Sequence, residues 1–254
     1  MSSQSSPDVI HPVKGYIFDV DGTLLDTETL SDIAMIQALS LPPQPFPWEL
    51  KKRTLGLRAQ EWAPLVISYY RSLGHDIPLT ASSLWGGWES HLSSLCASAR
   101  CKAGALQLVE RLAAGGSPLA VATSSERGAM EVKMGAQPAL FGHFDRGCIV
   151  TGDDPAVFKG KPAPDIFLEA ARRVGLEPGD CLAFEDSLAG GRSAAAAGCR
   201  VVAIPDRRED EALFWEAGAD KVIRSLWEFD GREWGGAFDM RQIHSSRKRH
   251  SRRS

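Results

Sequence analysis

Two aspartates lie one residue apart at the end of an apolar run near the start of the chain. Asp19 and Asp21 follow residues 16–18 (YIF), and Gly22 permits a tight turn directly after them. In an extended chain, residues i and i+2 project to the same side, so the two carboxylates would lie close together and repel each other. The pattern fits a strand that ends in an Asp-Gly turn, and it also fits a carboxylate pair that binds a cation or transfers protons.

Three further groups of polar side chains follow apolar runs or precede a helix later in the chain. They are hydroxyls, cations and acids, in that order: Thr123, Ser124 and Ser125; Lys159 and Lys161; Glu185 and Asp186. Each group has a local explanation, as helix N-caps, surface lysines before a proline-initiated helix, or acids that complement a helix dipole. Together they place acids, hydroxyls and a cation at strand ends or in loops beside them. That combination of residue types suits the binding and transfer of a phosphoryl group.

The elements that would position these groups alternate between short β-rich runs and amphipathic helices from residue 104 onward. The predicted strands are 13–20, 118–122, 147–150, 181–184, 200–204 and 221–223. The predicted helices between them are 126–134, 164–174, 187–197 and 209–216. This alternation predicts an α/β fold, a doubly wound parallel sheet covered by helices on both faces.

A long segment after the first strand has a different pattern. Residues 29–100 contain three amphipathic helical stretches, "LSDIAMIQAL", "RAQEWAPLVISYYRSLG" and "SSLWGGWESHLSSLC", and no convincing strand. We therefore predict an α/β core at 14–28 and 101–230, interrupted by an all-helical cap domain at 29–100. The cap would lie over the carboxyl edge of the sheet, where open α/β sheets bind ligands. Residues 1–13 and 241–254 are predicted to be disordered tails.

The composition is that of a globular protein. Of 254 residues, 43% are hydrophobic and 24% charged, and the five cysteines are scattered, which favours reduced thiols. The last fourteen residues carry six Arg and Lys, leaving 23 bases against 32 acids in the body, which does not favour nucleic acid. With no signal-peptide pattern or membrane-spanning run, we expect a cytoplasmic monomer that binds no membrane, or a nuclear protein if the basic tail is a targeting signal.

The polar groups and their order resemble a known family. "DVDGT", Thr123, Lys161 and "EDS" resemble the four motifs of the haloacid dehalogenase superfamily of phosphohydrolases, over residues 14–224. "GDDPAVFKGKPAPDIFLEAARRVG" and "FEDSLAGGRSAAAAGCRVVAIPD" resemble its helical-cap, β-phosphoglucomutase-like subgroup, and within it the eukaryotic pseudouridine 5'-phosphatase-like group. The resemblance implies a Rossmann-like core with a helical cap. It also implies a Mg²⁺-dependent phosphatase of a small phosphorylated metabolite, such as a sugar, polyol or nucleotide monophosphate.

The resemblance also implies roles for the acids. Asp19 would attack phosphorus and form an aspartyl-phosphate, and Asp21 would act as general acid and then general base. Mg²⁺, which prefers oxygen ligands, would be held by the Asp19 carboxylate, the Asp21 backbone carbonyl and the Asp186 carboxylate. Glu185 would bind the metal through water, or assist as an acid that contacts the ligands and not the metal.

The remaining groups would bind the phosphoryl oxygens. Lys161 would neutralise charge on Asp19 and on the phosphoryl group, and Thr123 with the Ser124 N–H would hold one phosphoryl oxygen. Arg58, in the "LGLRAQ" stretch of the cap, is a candidate for contact with the phosphate or the leaving group. A solvated arginine near a helix start explains Arg58 equally well.

Two other functions stay open. A β-phosphoglucomutase-type phosphomutase would share the core, but such mutases carry a histidine ten residues after the second aspartate, where this chain has Ser31. A non-catalytic binding protein on the same scaffold is the second alternative, although every motif residue is intact. Dehalogenation is disfavoured because that branch has no use for Asp21. Gly190 and Gly191 depart from the subgroup pattern, and we expect them to loosen a helix start without affecting the chemistry.

Overall fold

The structure, a computed structural model, describes residues 12–54, 59–206 and 208–251. The chain divides into two compact units. The first holds the chain up to Leu25, Cys101–Arg127 and the chain from Pro138 onward, and the second holds Asp26–Arg100 and Gly128–Gln137. No helix in the described part of the chain has the length and apolar character needed to cross a membrane.

The first unit is built on one six-stranded sheet. Its strands are β1 (Gly15–Phe18), β2 (Leu119–Ala122), β3 (Ile149–Val150), β4 (Cys181–Glu185), β5 (Arg200–Ala203) and β6 (Lys221–Val222). Their spatial order is β3-β2-β1-β4-β5-β6, and every neighbouring pair is parallel. This order is that of a doubly wound sheet, so the predicted α/β fold is confirmed.

The sheet explains where the predicted polar groups lie. Every residue of β1, β2, β3 and β4 is buried, as expected for parallel strands covered on both faces. Phe18 pairs with Phe184 across β1 and β4, and the two rings stack with centroids 4.7 Å apart. The chain therefore leaves β1 and β4 at the same height, and Asp19 and Glu185 come next to each other at the carboxyl edge.

The first unit also contains several α-helices. They are α5 (Ala105–Ala114), α7 (Pro138–Phe141), α8 (Asp165–Arg173), α9 (Leu188–Ala197), α10 (Glu211–Glu216) and α11 (Met240–Ser251). The α8 side chains Ile166 and Phe167 and the α9 residue Ala194 pack with small strand residues such as Ala120 and Ala183 in one buried cluster. Small residues on strands and helix allow these layers to approach closely.

The second unit is helical. It contains α1 (Thr27–Ala38), α2 (Trp48–Thr54), α3 (Ala59–Ser72), α4 (Ala81–Cys96) and most of α6 (Arg127–Ala136). Its core joins α1, α3 and α4 through side chains that include Ile36, Trp62, Tyr70 and Leu84. The assignment of residues 29–100 as a cap domain stays a prediction.

The predicted elements differ from the observed ones at their ends, in helices that the sequence did not indicate, and at the two chain termini. Helices α2, α5 and α7 were not identified from the sequence. The larger difference is at the C-terminus, where α11 includes residues 241–251 of the tail that the sequence predicted to be disordered at 241–254; residues 252–254 lie outside the described residues. At the other end, Val13 also departs from a disordered tail, because its N–H donates to the Trp234 carbonyl at 3.1 Å.

A closed network of charges explains the ordered C-terminal helix. Arg232 and Arg241 each donate to both Asp230 and Asp239, at 2.6–3.1 Å. These hydrogen bonds lower the pKa of Asp230 to about 2, chiefly through Arg232. Arg241 therefore ties the first turn of α11 to the preceding segment, a role that a count of basic residues conceals.

A second charge network ties α8 to the loop after β3, and it yields a prediction about acid stability. Arg172 and Arg173 donate to the Glu169 carboxylate, each at 2.6 Å, and Arg173 also pairs with Asp154 at 2.6 Å. The hydrogen bond from Arg172, and after it that from Arg173, lowers the pKa of Glu169 from 4.5 to about 2 despite its burial. A carboxyl whose pKa is lower in the folded state stabilises above its unfolded pKa and loses that contribution as pH falls.

We expect Glu169→Gln to lower the free energy of unfolding most near neutral pH. The difference from wild type should shrink below about pH 4.5 and vanish near pH 2. Urea unfolding followed by circular dichroism across this range measures it, with the exposed Glu131→Gln as control. A difference that stays constant with pH would contradict the role given to this carboxylate.

Candidate active site

Asp19 lies at the first position after β1 and is buried. Its backbone N–H donates to the Phe184 carbonyl at 3.0 Å, which continues the β1–β4 ladder by one residue and fixes the direction of the side chain. Its Oδ1 accepts a hydrogen bond from Lys161 Nζ at 2.7 Å. Only 6% of Asp19 is exposed, so its charge depends on protein partners rather than on bulk water.

Lys161 joins the ends of two neighbouring strands. Its ammonium lies 2.7 Å from Asp19 Oδ1 and 2.5 Å from Glu185 Oε1, and its side chain is 6% exposed. The same ammonium lies 5.3 Å from the centre of the Phe167 ring on α8. One buried cation thus offsets two buried carboxylates and leaves the cluster with a net negative charge.

Glu185 is saturated with hydrogen bonds at the start of α9. While Oε1 accepts from Lys161, Oε2 accepts from the backbone N–H groups of Asp186 and Ser187, both at 3.1 Å, and from the Ser187 hydroxyl at 3.0 Å. Both oxygens of this carboxylate thus accept hydrogen bonds from donors of the protein. Glu185 is therefore built to hold the Lys161 ammonium in place.

The charges of this cluster alter the proton affinity of Asp19. The pKa of Asp19 is raised to about 7, chiefly by burial and further by the nearby carboxylates of Glu185 and Asp21, although Lys161 lowers it. Burial alone would lower the pKa of Lys161, but the Asp19 and Glu185 carboxylates raise it above its ordinary value. The site keeps the lysine charged, and a further cation would favour the ionised form of Asp19.

A third acid completes a candidate metal centre. Carboxylate oxygens of Asp19, Glu185 and Asp186 lie within 4.8 Å of one another. Gly22 makes this approach possible, because it has φ +89° and a Cβ there would overlap the Asp186 carboxylate. These hard oxygen donors, beside a cluster with excess negative charge, fit Mg²⁺ by the chemistry of the donor set.

The predicted hydroxyl groups follow the end of β2, and one of them donates a hydrogen bond to Asp21. Thr123 is fully buried, and its Oγ1 accepts from the Ser125 N–H at 3.1 Å. The Ser125 hydroxyl donates to Asp21 Oδ2 at 2.8 Å. Ser124 is exposed. The carboxyl ends of β1 and β2 are thus joined through a hydroxyl and the second aspartate.

The structure brings most of the predicted site residues to one edge of the sheet. Those residues are Asp19, Asp21, Thr123, Ser124, Lys161, Glu185 and Asp186. Lys159 is exposed, and its backbone N–H donates a hydrogen bond to Asp165 Oδ2 at 3.0 Å. Arg58 lies outside the described residues. The catalytic and binding roles of all the predicted site residues stay predictions.

The structure gives Gly190 a role that the expectation for the glycine pair did not include. This residue lies in the first turn of α9, and a Cβ there would overlap the carboxylate of Glu185. Among the described residues, an added Cβ at Gly191 would meet Ala217 Cβ at 3.9 Å, an ordinary contact. Gly190 therefore makes room for the carboxylate that holds Lys161, and nothing in the helical periodicity of this segment signals that.

Comparison with known proteins places this site in a family context. A family model described as haloacid dehalogenase-like hydrolase matches residues 13–198. The chain is 34% identical over 229 residues to a probable pseudouridine-5'-phosphatase of Drosophila melanogaster, covering 89% of this chain and 96% of that protein. It is 36% identical over 222 residues to (DL)-glycerol-3-phosphatase 2 of Arabidopsis thaliana, covering 86% and 90% of the two chains.

The fold has close counterparts among solved structures. A putative β-phosphoglucomutase from Thermotoga maritima superposes with a TM-score of 0.68 at 25% identity. The superposition covers 84% of this chain and 95% of that one.

The two adjacent glycines of α9 provide a matched pair of substitutions. We expect Gly190→Ala to lower the free energy of unfolding by roughly 1–3 kcal/mol, because the added methyl displaces Glu185 from Lys161. Gly191→Ala should raise it by up to about 1 kcal/mol through higher helix propensity. Chemical denaturation of the two variants beside wild type makes the comparison. Equal effects would show that Gly190 does not accommodate the carboxylate.

Proposed function

The chain belongs to the haloacid dehalogenase-like hydrolases, and we propose that it is a Mg²⁺-dependent phosphatase that transfers a phosphoryl group from a small metabolite first to Asp19 and then to water. The resemblance predicted from the sequence is confirmed at the level of the family. The chain is thus an enzyme that hydrolyses phosphate monoesters. The observation that carries the proposed mechanism is the buried Asp19–Lys161–Glu185 cluster at the ends of β1 and β4.

The cluster supports Asp19 as the nucleophile. A carboxylate that approaches a phosphate dianion meets strong repulsion, and the Lys161 ammonium beside Asp19 offsets it. Glu185 keeps this ammonium in position throughout the reaction, because its other oxygen is fixed by three donors at the start of α9. The bond from Asp19 to phosphorus forms as the bond from phosphorus to the leaving oxygen breaks, giving an aspartyl-phosphate.

The acids at the strand ends would hold the metal ion. The Asp19 and Asp186 carboxylates, with the Asp21 backbone carbonyl, are the proposed ligands, and Glu185 supports them through its hold on Lys161. When bound, Mg²⁺ supplies positive charge that reduces repulsion between the acids and the phosphoryl oxygens.

The remaining residues would handle the phosphoryl oxygens and the proton. The buried Thr123 hydroxyl can donate to a phosphoryl oxygen, since its oxygen accepts from Ser125, and the Ser124 N–H is the proposed second donor. Asp21 would give its proton to the leaving oxygen and later take one from the attacking water.

The substrate class follows from the relatives. Proteins named as phosphatases of pseudouridine 5'-phosphate, of glycerol 3-phosphate and of FMN match 86–89% of this chain. We propose a sugar, polyol or nucleotide monophosphate, selected by residues 29–100 acting as a cap domain. Ser31 stands where the mutase subgroup has a histidine, which favours hydrolysis over isomerisation of a sugar phosphate.

Substitution of the nucleophile tests the mechanism. Asp19→Asn should lower kcat by at least about 10³-fold, because an amide cannot form the acyl-phosphate. Thermal unfolding should show a folded protein, since Asn fills the same volume. Phosphate release close to the wild-type rate would remove Asp19 from this role.

A substrate panel tests the reaction class and the metal together. We expect phosphate release from at least one of pseudouridine 5'-phosphate, glycerol 3-phosphate, ribose 5-phosphate and FMN, with activity lost in EDTA and restored by Mg²⁺. Conversion of β-glucose 1-phosphate to glucose 6-phosphate is measured in parallel. Isomerisation without phosphate release would favour the mutase, and turnover unaffected by EDTA would contradict the proposed metal.

Arg58 is tested separately, since its placement lies outside the described residues. If it contacts the phosphate or the leaving group, Arg58→Ala should lower kcat/KM for the best substrate by at least about tenfold. The neighbouring surface change Arg53→Ala serves as a control. Unchanged kcat/KM in Arg58→Ala would leave this residue as a solvated arginine.

A further inference from the structure

We propose that Ser125 is a positioning residue whose hydroxyl fixes the orientation of the Asp21 carboxyl for proton transfer to the leaving group. The observation is the hydrogen bond from Ser125 Oγ to Asp21 Oδ2, at 2.8 Å. It joins residues 104 positions apart, from the ends of two adjacent strands. The inference rests on the proposed function, in which Asp21 is the general acid and base.

Ser125 is itself held from two sides. Its N–H donates to Thr123 Oγ1 at 3.1 Å, and its carbonyl accepts from the Gly152 N–H at 2.9 Å. The backbone that carries the hydroxyl is therefore fixed between the end of β2 and the loop that follows β3. A side chain on such a backbone can hold a partner in one orientation at little entropic cost.

The backbone of Asp21 is fixed as well. The turn after β1 is closed by hydrogen bonds from the N–H groups of Leu24 and Leu25 to the Val20 carbonyl, at 3.0 and 2.9 Å, and from Gly22 N–H to the Leu25 carbonyl at 2.8 Å. These hydrogen bonds fix the backbone of Asp21 but not the rotation of its side chain. The Lys161 ammonium does not set it, since its two ion pairs are with Asp19 and Glu185.

The hydrogen bond assigns different tasks to the two oxygens of Asp21. Because Oδ2 accepts from Ser125 whether the carboxyl is protonated or not, the transferred proton is assigned to Oδ1. In the first half-reaction this proton passes to the leaving oxygen as its bond to phosphorus breaks and the Asp19–phosphorus bond forms. In the second half, Oδ1 takes a proton from the water that attacks phosphorus, which releases inorganic phosphate and regenerates the Asp19 carboxylate.

A dependence on the leaving group distinguishes this role from a structural one. The leaving group of an aryl phosphate such as 4-nitrophenyl phosphate is a stable phenolate that needs little protonation. The leaving group of glycerol 3-phosphate is a strongly basic alkoxide. We expect Ser125→Ala to lower kcat/KM for the alkyl phosphate by about tenfold more than for the aryl phosphate. Ser125→Thr, which keeps the hydroxyl, should restore most of the loss, and Ser125→Cys, with its weak donor, should resemble Ser125→Ala.

A double-mutant cycle shows whether Ser125 acts through Asp21. Asp21→Asn should have the same dependence on the leaving group, and adding Ser125→Ala to it should cause little further loss. Equal losses for the two substrates in Ser125→Ala, or losses that multiply in the double variant, would overturn the inference. A wild-type enzyme that hydrolyses neither substrate would instead count against the proposed function.

Discussion

The site depends on one buried cation shared by two buried carboxylates. Lys161 contacts Asp19 and Glu185, which follow neighbouring strands of the sheet and would repel each other without it. Removing one partner of such a group leaves an uncompensated buried charge, so the three residues form one unit in energetic terms. Two carboxylates against one ammonium leave an excess of negative charge, which a metal ion would neutralise.

Two glycines show how closely the backbone is fitted to these charges. Gly22 turns the chain after β1 and leaves space for Asp186, while Gly190 opens the first turn of α9 for Glu185. Gly22 has a positive φ, which favours glycine over any other residue. Gly190, in contrast, would be more stable as local structure with another residue, since glycine lowers helix stability. The chain gives up local stability there so that carboxylates can lie beside each other, as expected at a functional site.

In the proposed reaction, the polar residues of the site have separate tasks. The Asp19–Lys161–Glu185 cluster would handle the charge of the nucleophile, whereas the Ser125 hydroxyl reaches Asp21, which would handle the proton. Away from the site, the charge network of Glu169 with Arg172 and Arg173 ties α8 to the loop that follows β3. The start of the C-terminal helix is held in the same way, in part by Arg241, which a charge count alone assigns to a solvated tail.

The sequence by itself determined the alternation of strands and helices and the chemical groups at the strand ends, because a parallel sheet with buried strands leaves a periodic, apolar pattern. It also determined that Asp19, Lys161 and Glu185 belong together, through motifs that resemble a family. Only the tertiary structure decided which hydroxyl reaches Asp21, which of two adjacent glycines faces a carboxylate, and that Arg241 orders the last helix. These depend on atoms that lie far apart in sequence, whose distances are set by strand register and packing and leave no local pattern in the chain.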